Sequence, residues 1–173
     1  MASYYYLISS LPTLSSDEDM PMTYEEFLNN CQGNVSEETY KQLESLTLSS
    51  SEGPLLKEWA SAYGMLMKEL NSQRSMALGK QYPSGFDKDG TNTQVVATAL
   101  AAKNPLESEQ ILLDYEFELL DDLVGLHIFD DHVLFGYALK LKLLERKSCF
   151  EKEKGQAEFQ HLFTDVQQRV YSL

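Results

Sequence analysis

Apolar side chains recur every three or four residues along most of this chain, and the stretches where they do so open on capping residues, which predicts helices from end to end. Thr23-Tyr24-Glu25-Glu26 has the form of a capping box ahead of Phe27 and Leu28 and predicts a short helix. Ser36-Glu37-Glu38 caps a second one, with Tyr40, Leu43 and Leu46 on one side. Residues 49–53, three serines, a glutamate and a glycine, read as a linker, and Pro54 suits a first helical position. Leu55, Trp59, Leu66 and Leu70, with Tyr63 and Met67, then trace one helical face to about residue 78. Residues 80–92 hold Pro83, Gly85 and Gly90 and predict a flexible loop, followed by a helix over 93–103.

The C-terminal pattern is sharper. Asn104 is an N-cap, Pro105 fits the first helical position, and Glu107 completes a capping-box arrangement. Leu106, Leu113, Phe117, Leu120 and Val124 recur at helical spacing, widened by Leu112, Tyr115, Leu119 and Leu123. Residues 125–130 predict a turn, and Asp131 opens a helix with Val133, Tyr137, Leu141 and Leu144 on one stripe. Gly155 should break that helix, and Phe159, Leu162, Phe163, Val166 and Val170 predict a last one. Three amphipathic helices on short turns should pack as antiparallel neighbours. Tyr4-Tyr5-Tyr6-Leu7-Ile8 leans towards strand by propensity, yet no second convincing strand exists to pair with it. It reads as an extended segment or a first helical turn, tucked against the core rather than serving as an interface anchor. The expected fold is an all-α helical bundle. Its parts are residues 1–79, the loop 80–92 and a C-terminal bundle 93–173, as two small lobes or packed as one domain.

Charge changes the picture more than composition does. The 173 residues are 43% hydrophobic and 24% charged, an ordinary globular balance, but 27 acids against 14 bases give a formal net charge of -13. That argues against a nucleic-acid partner held through phosphates and against adsorption to anionic membrane surfaces. It favours a partner with a basic surface. The most apolar stretch, residues 95–102, is too short to span a bilayer. The start lacks the basic and long apolar regions of a signal peptide, and Cys31 and Cys149 read as buried small hydrophobes in a reducing compartment. A cytoplasmic protein is expected.

Between Asn104 and Leu139 there are nine acids and no lysine or arginine. Glu107, Asp114, Glu118, Asp121 and Asp122 fall along one helical side, as a docking face for a basic partner, a carboxylate metal site, or a solvated surface. The sign then flips: Lys140, Lys142, Arg146 and Lys147 follow with only Glu145 opposing. Those cations pair with the acids of the preceding helix or meet acidic groups on a partner. No phosphate-cradling glycine loop or serine elbow occurs, and Asp87-Lys88-Asp89-Gly90 misplaces the glycine of a calcium loop. Glu158-Phe159-Gln160-His161 has the spacing of di-iron bundles but occurs in one copy where two are needed. His127 and His132 flank the 125–130 turn beside Asp130 and Asp131; a ligand cluster is one reading there, and capping with loop solvation is the better one. No catalytic residue, metal ligand or cofactor is assigned.

Two segments carry a resemblance: residues 4–12, Tyr-Tyr-Tyr-Leu-Ile-Ser-Ser-Leu-Pro, and residues 133–146, Val-Leu-Phe-Gly-Tyr-Ala-Leu-Lys-Leu-Lys-Leu-Leu-Glu-Arg. Nearly end to end, the chain resembles a family of short bacterial proteins of unassigned function encoded beside V/A-type ATPase subunits. Tyr4, Tyr6, Tyr137, Lys140 and Glu145 also look like counterparts of positions in the longer C/d-type central-stalk family of those rotary ATPases, which has an arginine where Ser9 and Ser10 stand here. The resemblance implies an all-helical, non-catalytic accessory or central-stalk component that contacts stalk or rotor-ring subunits and is peripheral to the inner membrane through the ATPase. The acids from Glu107 and the cations from Lys140 to Lys147 are then the contact candidates. The alternatives are a helical enzyme binding a divalent metal through Asp114, Glu118, Asp121 and His161, and a free-standing regulatory binding protein.

Overall fold

The capping pattern is realised in a computed structural model that describes residues 4–82, 85, 89–150, 160–164 and 167. Those residues form helices and connecting turns, with no strand among them. The helices are α1 (Tyr5–Ser10), α2 (Tyr24–Cys31), α3 (Glu37–Glu44), α4 (Leu56–Ala77), α5 (Gly90–Leu100), α6 (Pro105–Val124) and α7 (Asp131–Ser148). The three-tyrosine segment resolves into a helix: Tyr4 and Leu7 are buried and Tyr5 and Tyr6 point outward.

Local chemistry explains most of the boundaries. Thr23 and Glu26 form the reciprocal capping box expected for α2, and the Ser36 hydroxyl accepts the Thr39 N–H at the start of α3. Asn104 Oδ1 accepts the Glu107 N–H at 2.8 Å with Pro105 just inside α6. Helix α5 starts three residues before its expected position, because Asp89 accepts the Thr91 N–H and caps it there. Pro54 stands outside α4, whose N-cap is Leu55 with φ 65°. A leucine at positive φ is strained, by about 1–3 kcal/mol. Here the strain accompanies burial of the Leu55 side chain in the core.

Two apolar clusters hold the helices together. The larger draws Phe27, Leu43, Leu56 and Trp59 from the first half of the chain together with Leu113, Phe117, Leu120, Phe135 and Leu139 from the second. The smaller holds Leu66, Leu70, Val96, Ala99 and Leu112, where α4, α5 and α6 meet. Helices α4 and α6 each contribute to both, so α6 is flanked by α4, α5 and α7.

The α7 stripe expected at Val133, Tyr137, Leu141 and Leu144 is too narrow. Leu134, Phe135, Gly136, Ala138, Leu139, Leu141, Leu143 and Leu144 are all buried, while Val133 and Tyr137 are half-buried. A helix apolar on most of its circumference is an interior helix, here packed by α6 and α2. The approach to α6 is close enough that a Cβ on Gly136 would lie 2.6 Å from Val124 Cγ2. Helix α7 ends at Ser148; Gly155, Phe159, Val166 and Val170 lie outside the described residues. Residues 160–164 are helical, with Leu162 and Phe163 exposed. No helix of the described residues is long and apolar enough to cross a membrane.

Candidate functional site

The basic run on α7 is largely committed within the chain. Arg146 donates from both terminal nitrogens to Glu116 on α6, at 3.0 and 2.6 Å, and a third hydrogen bond of 3.4 Å reaches the Tyr63 hydroxyl on α4. Lys140 donates to Asp121 at 2.6 Å and lies 5.1 Å from the centre of the Phe117 ring. Lys142 donates to Glu145 at 3.0 Å and sits 3.7 Å above the Tyr24 ring. Lys147 donates to the Ser16 carbonyl at 2.6 Å and so ties the acidic 15–19 loop to the end of α7. Helices α6 and α7 thus pair charges across their seam, the first of the two accounts open from sequence.

Glu116 has a different character from its acidic neighbours. Its side chain is 0% exposed, at a core-facing position one turn after Leu112 and Leu113 and one turn before Leu120. Burial pushes its carboxyl above the usual range, against the pull of the Arg146 hydrogen bonds and charge. Burial works against the Arg146 cation too, but the hydrogen bonds and charge of Glu116 outweigh it and raise the guanidinium further. Tyr63 beside them is raised by burial and then by the Glu116 charge. Glu69 on α4 is also buried; its Oε1 accepts from Gln73 at 2.8 Å and its Oε2 has no partner among the described residues.

The remaining acids divide. Glu107 folds back to accept the Lys103 N–H at 3.2 Å, Asp114 accepts from Gln110 at 2.7 Å, and Asp121 is taken by Lys140. Glu118 and Asp122 are exposed, one turn apart, with no cation of the described residues at ion-pair distance. The Tyr115 phenol, which donates to Asn92 Oδ1 at 2.8 Å, registers their field: burial first, then the charges of Asp89, Glu118 and Asp122, push it up. Glu118, Asp122 and the α5 cap Asp89 therefore make one outward acidic area around Tyr115.

At the far end of α6, Gly125 turns the chain with φ 55° and displays Leu126 (98% exposed), His127 and Ile128. The N-terminal segment braces this turn. The Tyr4 N–H donates to the Phe129 carbonyl at 2.7 Å, the Tyr4 hydroxyl to Asp131 at 2.9 Å, and Tyr5 meets the Phe129 ring edge-on. Asp130 caps α7 by accepting the His132 and Val133 N–H groups, and its other oxygen contacts His127 Nδ1. Partial burial would raise the Asp130 carboxyl, but the His127 and Val133 hydrogen bonds, with the charges of His127 and His132, hold it below the usual range. The two imidazoles stack at 4.0 Å, and the ligating atoms of His127, Asp130 and His132 all lie within 4.8 Å of one another.

From sequence, a ligand cluster at His127, Asp130, Asp131 and His132 stands as the lesser reading beside capping and loop solvation; the structure shows Asp130 capping α7 and also brings His127, Asp130 and His132 together. The alternative metal set, Asp114, Glu118, Asp121 and His161, does not converge among the described residues, because Asp114 and Asp121 turn to Gln110 and Lys140. Glu158 of the Glu-x-x-His motif lies outside them. Cys31 is buried, with its thiol pushed up to about 12 by burial, whereas Cys149 is exposed, contrary to expectation, because it lies past the end of α7. Between α6 and the end of α7, Leu106, Gln110, Leu113, Lys147 and Phe150 line a narrow cleft with room for about one water molecule. Comparison with known proteins gives no matching family model, no matching curated protein and no matching solved structure.

Proposed function

We propose that this chain is a non-catalytic accessory or central-stalk component of a V/A-type ATPase, acting through contacts with stalk or rotor-ring subunits. The observation that carries the reading is the division of its charges. The α7 cations are spent inside the fold, while Glu118, Asp122 and Asp89 face outward on a chain of net charge -13. An outward acidic area steers encounter with a basic surface and fixes its orientation. The resemblance of residues 4–12 and 133–146 supplies the partner. The mechanism is mechanical: α4, α6 and α7, joined by two apolar clusters and the Arg146–Glu116 pair, form a stiff element able to hold two assemblies in register. The protein then sits on the cytoplasmic side, at the inner membrane through the ATPase.

Affinity capture of the tagged chain from its native cells, at low and moderate salt, tests this. ATPase stalk or ring subunits should be recovered at low salt and diminish as salt rises, since screening weakens exposed charge contacts. Recovery of none of them, with the ATPase intact, would favour the free-standing regulator.

A further inference from the structure

We infer that His127, Asp130 and His132 form a binding site for one divalent transition-metal ion of borderline softness, with Zn²⁺ as the type ion. Two imidazoles and a carboxylate are the ligand set that such an ion takes, whereas Ca²⁺ and Mg²⁺ prefer all-oxygen shells. The sequence spacing His-x-x-Asp-x-His lays all three across one turn and the first residues of α7, and Gly125 with the Tyr4 contacts fixes the path of the backbone there.

The distances fit after a small adjustment. A tetrahedral ion bonded at about 2.0–2.2 Å holds its ligand atoms roughly 3.4 Å apart, and the three atoms here already lie within 4.8 Å of one another. The ring planes are parallel within 6°, so one imidazole must turn about χ2 before both lone pairs converge. The His127 side chain is 41% exposed and has room to do so. A bound ion takes the place of the direct His127 Nδ1–Asp130 contact, and the second Asp130 oxygen goes on capping α7. The positive end of α7 opposes a cation, but Asp130 and Asp131 set two carboxylates against that field. Three protein ligands leave one position for water or for a donor from another molecule. Leu126 and Ile128 on the same turn are exposed, so a bound ion stiffens an outward-facing part of the α6–α7 connection.

The test is titration of the tag-free full chain with ZnCl2 by calorimetry, and with Co²⁺ by visible absorption. One ion should bind per chain in the wild type, in His161→Ala and in Cys149→Ser. In His127→Ala and in His132→Ala, affinity should fall by more than the roughly 10–100-fold that loss of a group merely orienting a ligand costs. Circular dichroism of the metal-free variants checks that their helices are intact. Imidazole NMR resonances of the wild-type chain give a readout that needs no variant: those of His127 and His132 should move on Zn²⁺ addition. No saturable binding by the wild type, binding that survives both histidine variants, or unmoved His127 and His132 resonances overturns the assignment. Because no ATPase is involved, that failure is independent of the stalk reading.

Discussion

Arg146→Ala should lower the free energy of unfolding by about 3–5 kcal/mol, the cost of leaving a buried charge without its partner. Glu116 is 0% exposed and is held by two Arg146 hydrogen bonds of 3.0 and 2.6 Å. Once the guanidinium is gone, Glu116 keeps no ion-pair partner among the described residues, since Arg74 contacts Glu109 and not Glu116. The sign of the pH response follows. Burial already raises the folded-state carboxyl of Glu116 in the wild type, so its contribution is fully present below the unfolded value and declines as pH rises through the folded one. Removing Arg146 raises that carboxyl further, so the variant's deficit against wild type should be smallest in mild acid and grow towards neutral pH. Urea unfolding of both proteins across that range measures it. Replacing both partners with apolar residues, as in Glu116→Leu with Arg146→Met, should restore most of the loss, because a buried pair and a packed apolar pair are close in net stability. A single Arg146→Ala loss under about 1 kcal/mol would show that the pair is solvated and the seam open.

Trp59→Ala should cost a similar amount, about 3–5 kcal/mol, through the cavity it leaves. The indole is fully buried in the larger apolar cluster, stacks on Tyr63 at 5.0 Å, and donates to the Leu48 carbonyl at 3.0 Å. Truncation opens a cavity in that cluster and leaves the Leu48 carbonyl without its donor. In a chain of this size the midpoint of thermal unfolding should fall by roughly 10 °C, followed by circular dichroism because Trp59 is the sole tryptophan. Tyr6→Ala is the contrast: with the ring 87% exposed, its effect should stay within about 0.5 kcal/mol. Equal effects of the two would contradict the placement of the core.

Helices are legible from sequence wherever a cap and a 3.6-residue rhythm coincide, as at Thr23, Ser36 and Asn104. Boundaries drift where one of the two is missing. Asp89 reads as part of a loop because Gly85 and Gly90 around it hide a helix cap. The path at Leu55 depends on a positive φ that no local signal announces in a leucine. Burial on α7 is underestimated because a stripe of four residues satisfies the periodicity, while the second and third faces show only in what packs against them.

The charged residues behave in the opposite way. Glu116 stands in core phase, between Leu113 and Leu120, and so does Arg146, three residues after Leu143. A buried ion pair is therefore readable once the charges are placed on the same wheel as the leucines. His127, Asp130 and His132 stand close in the sequence and so admit a ligand cluster there, but the approach of their ligand atoms to one another shows only in the structure.

The most direct test of the proposed role is capture from native cells with the wild type and a Glu118→Lys/Asp122→Lys variant side by side. Both positions are exposed and lack cation partners among the described residues, so the variant should fold as the wild type does. The proposal predicts ATPase stalk or ring subunits on the wild type and a loss of at least about tenfold on the variant, as expected when like charges are set against a basic surface. Equal recovery on both would remove the acidic area from the contact, and no ATPase component on either would contradict the role itself.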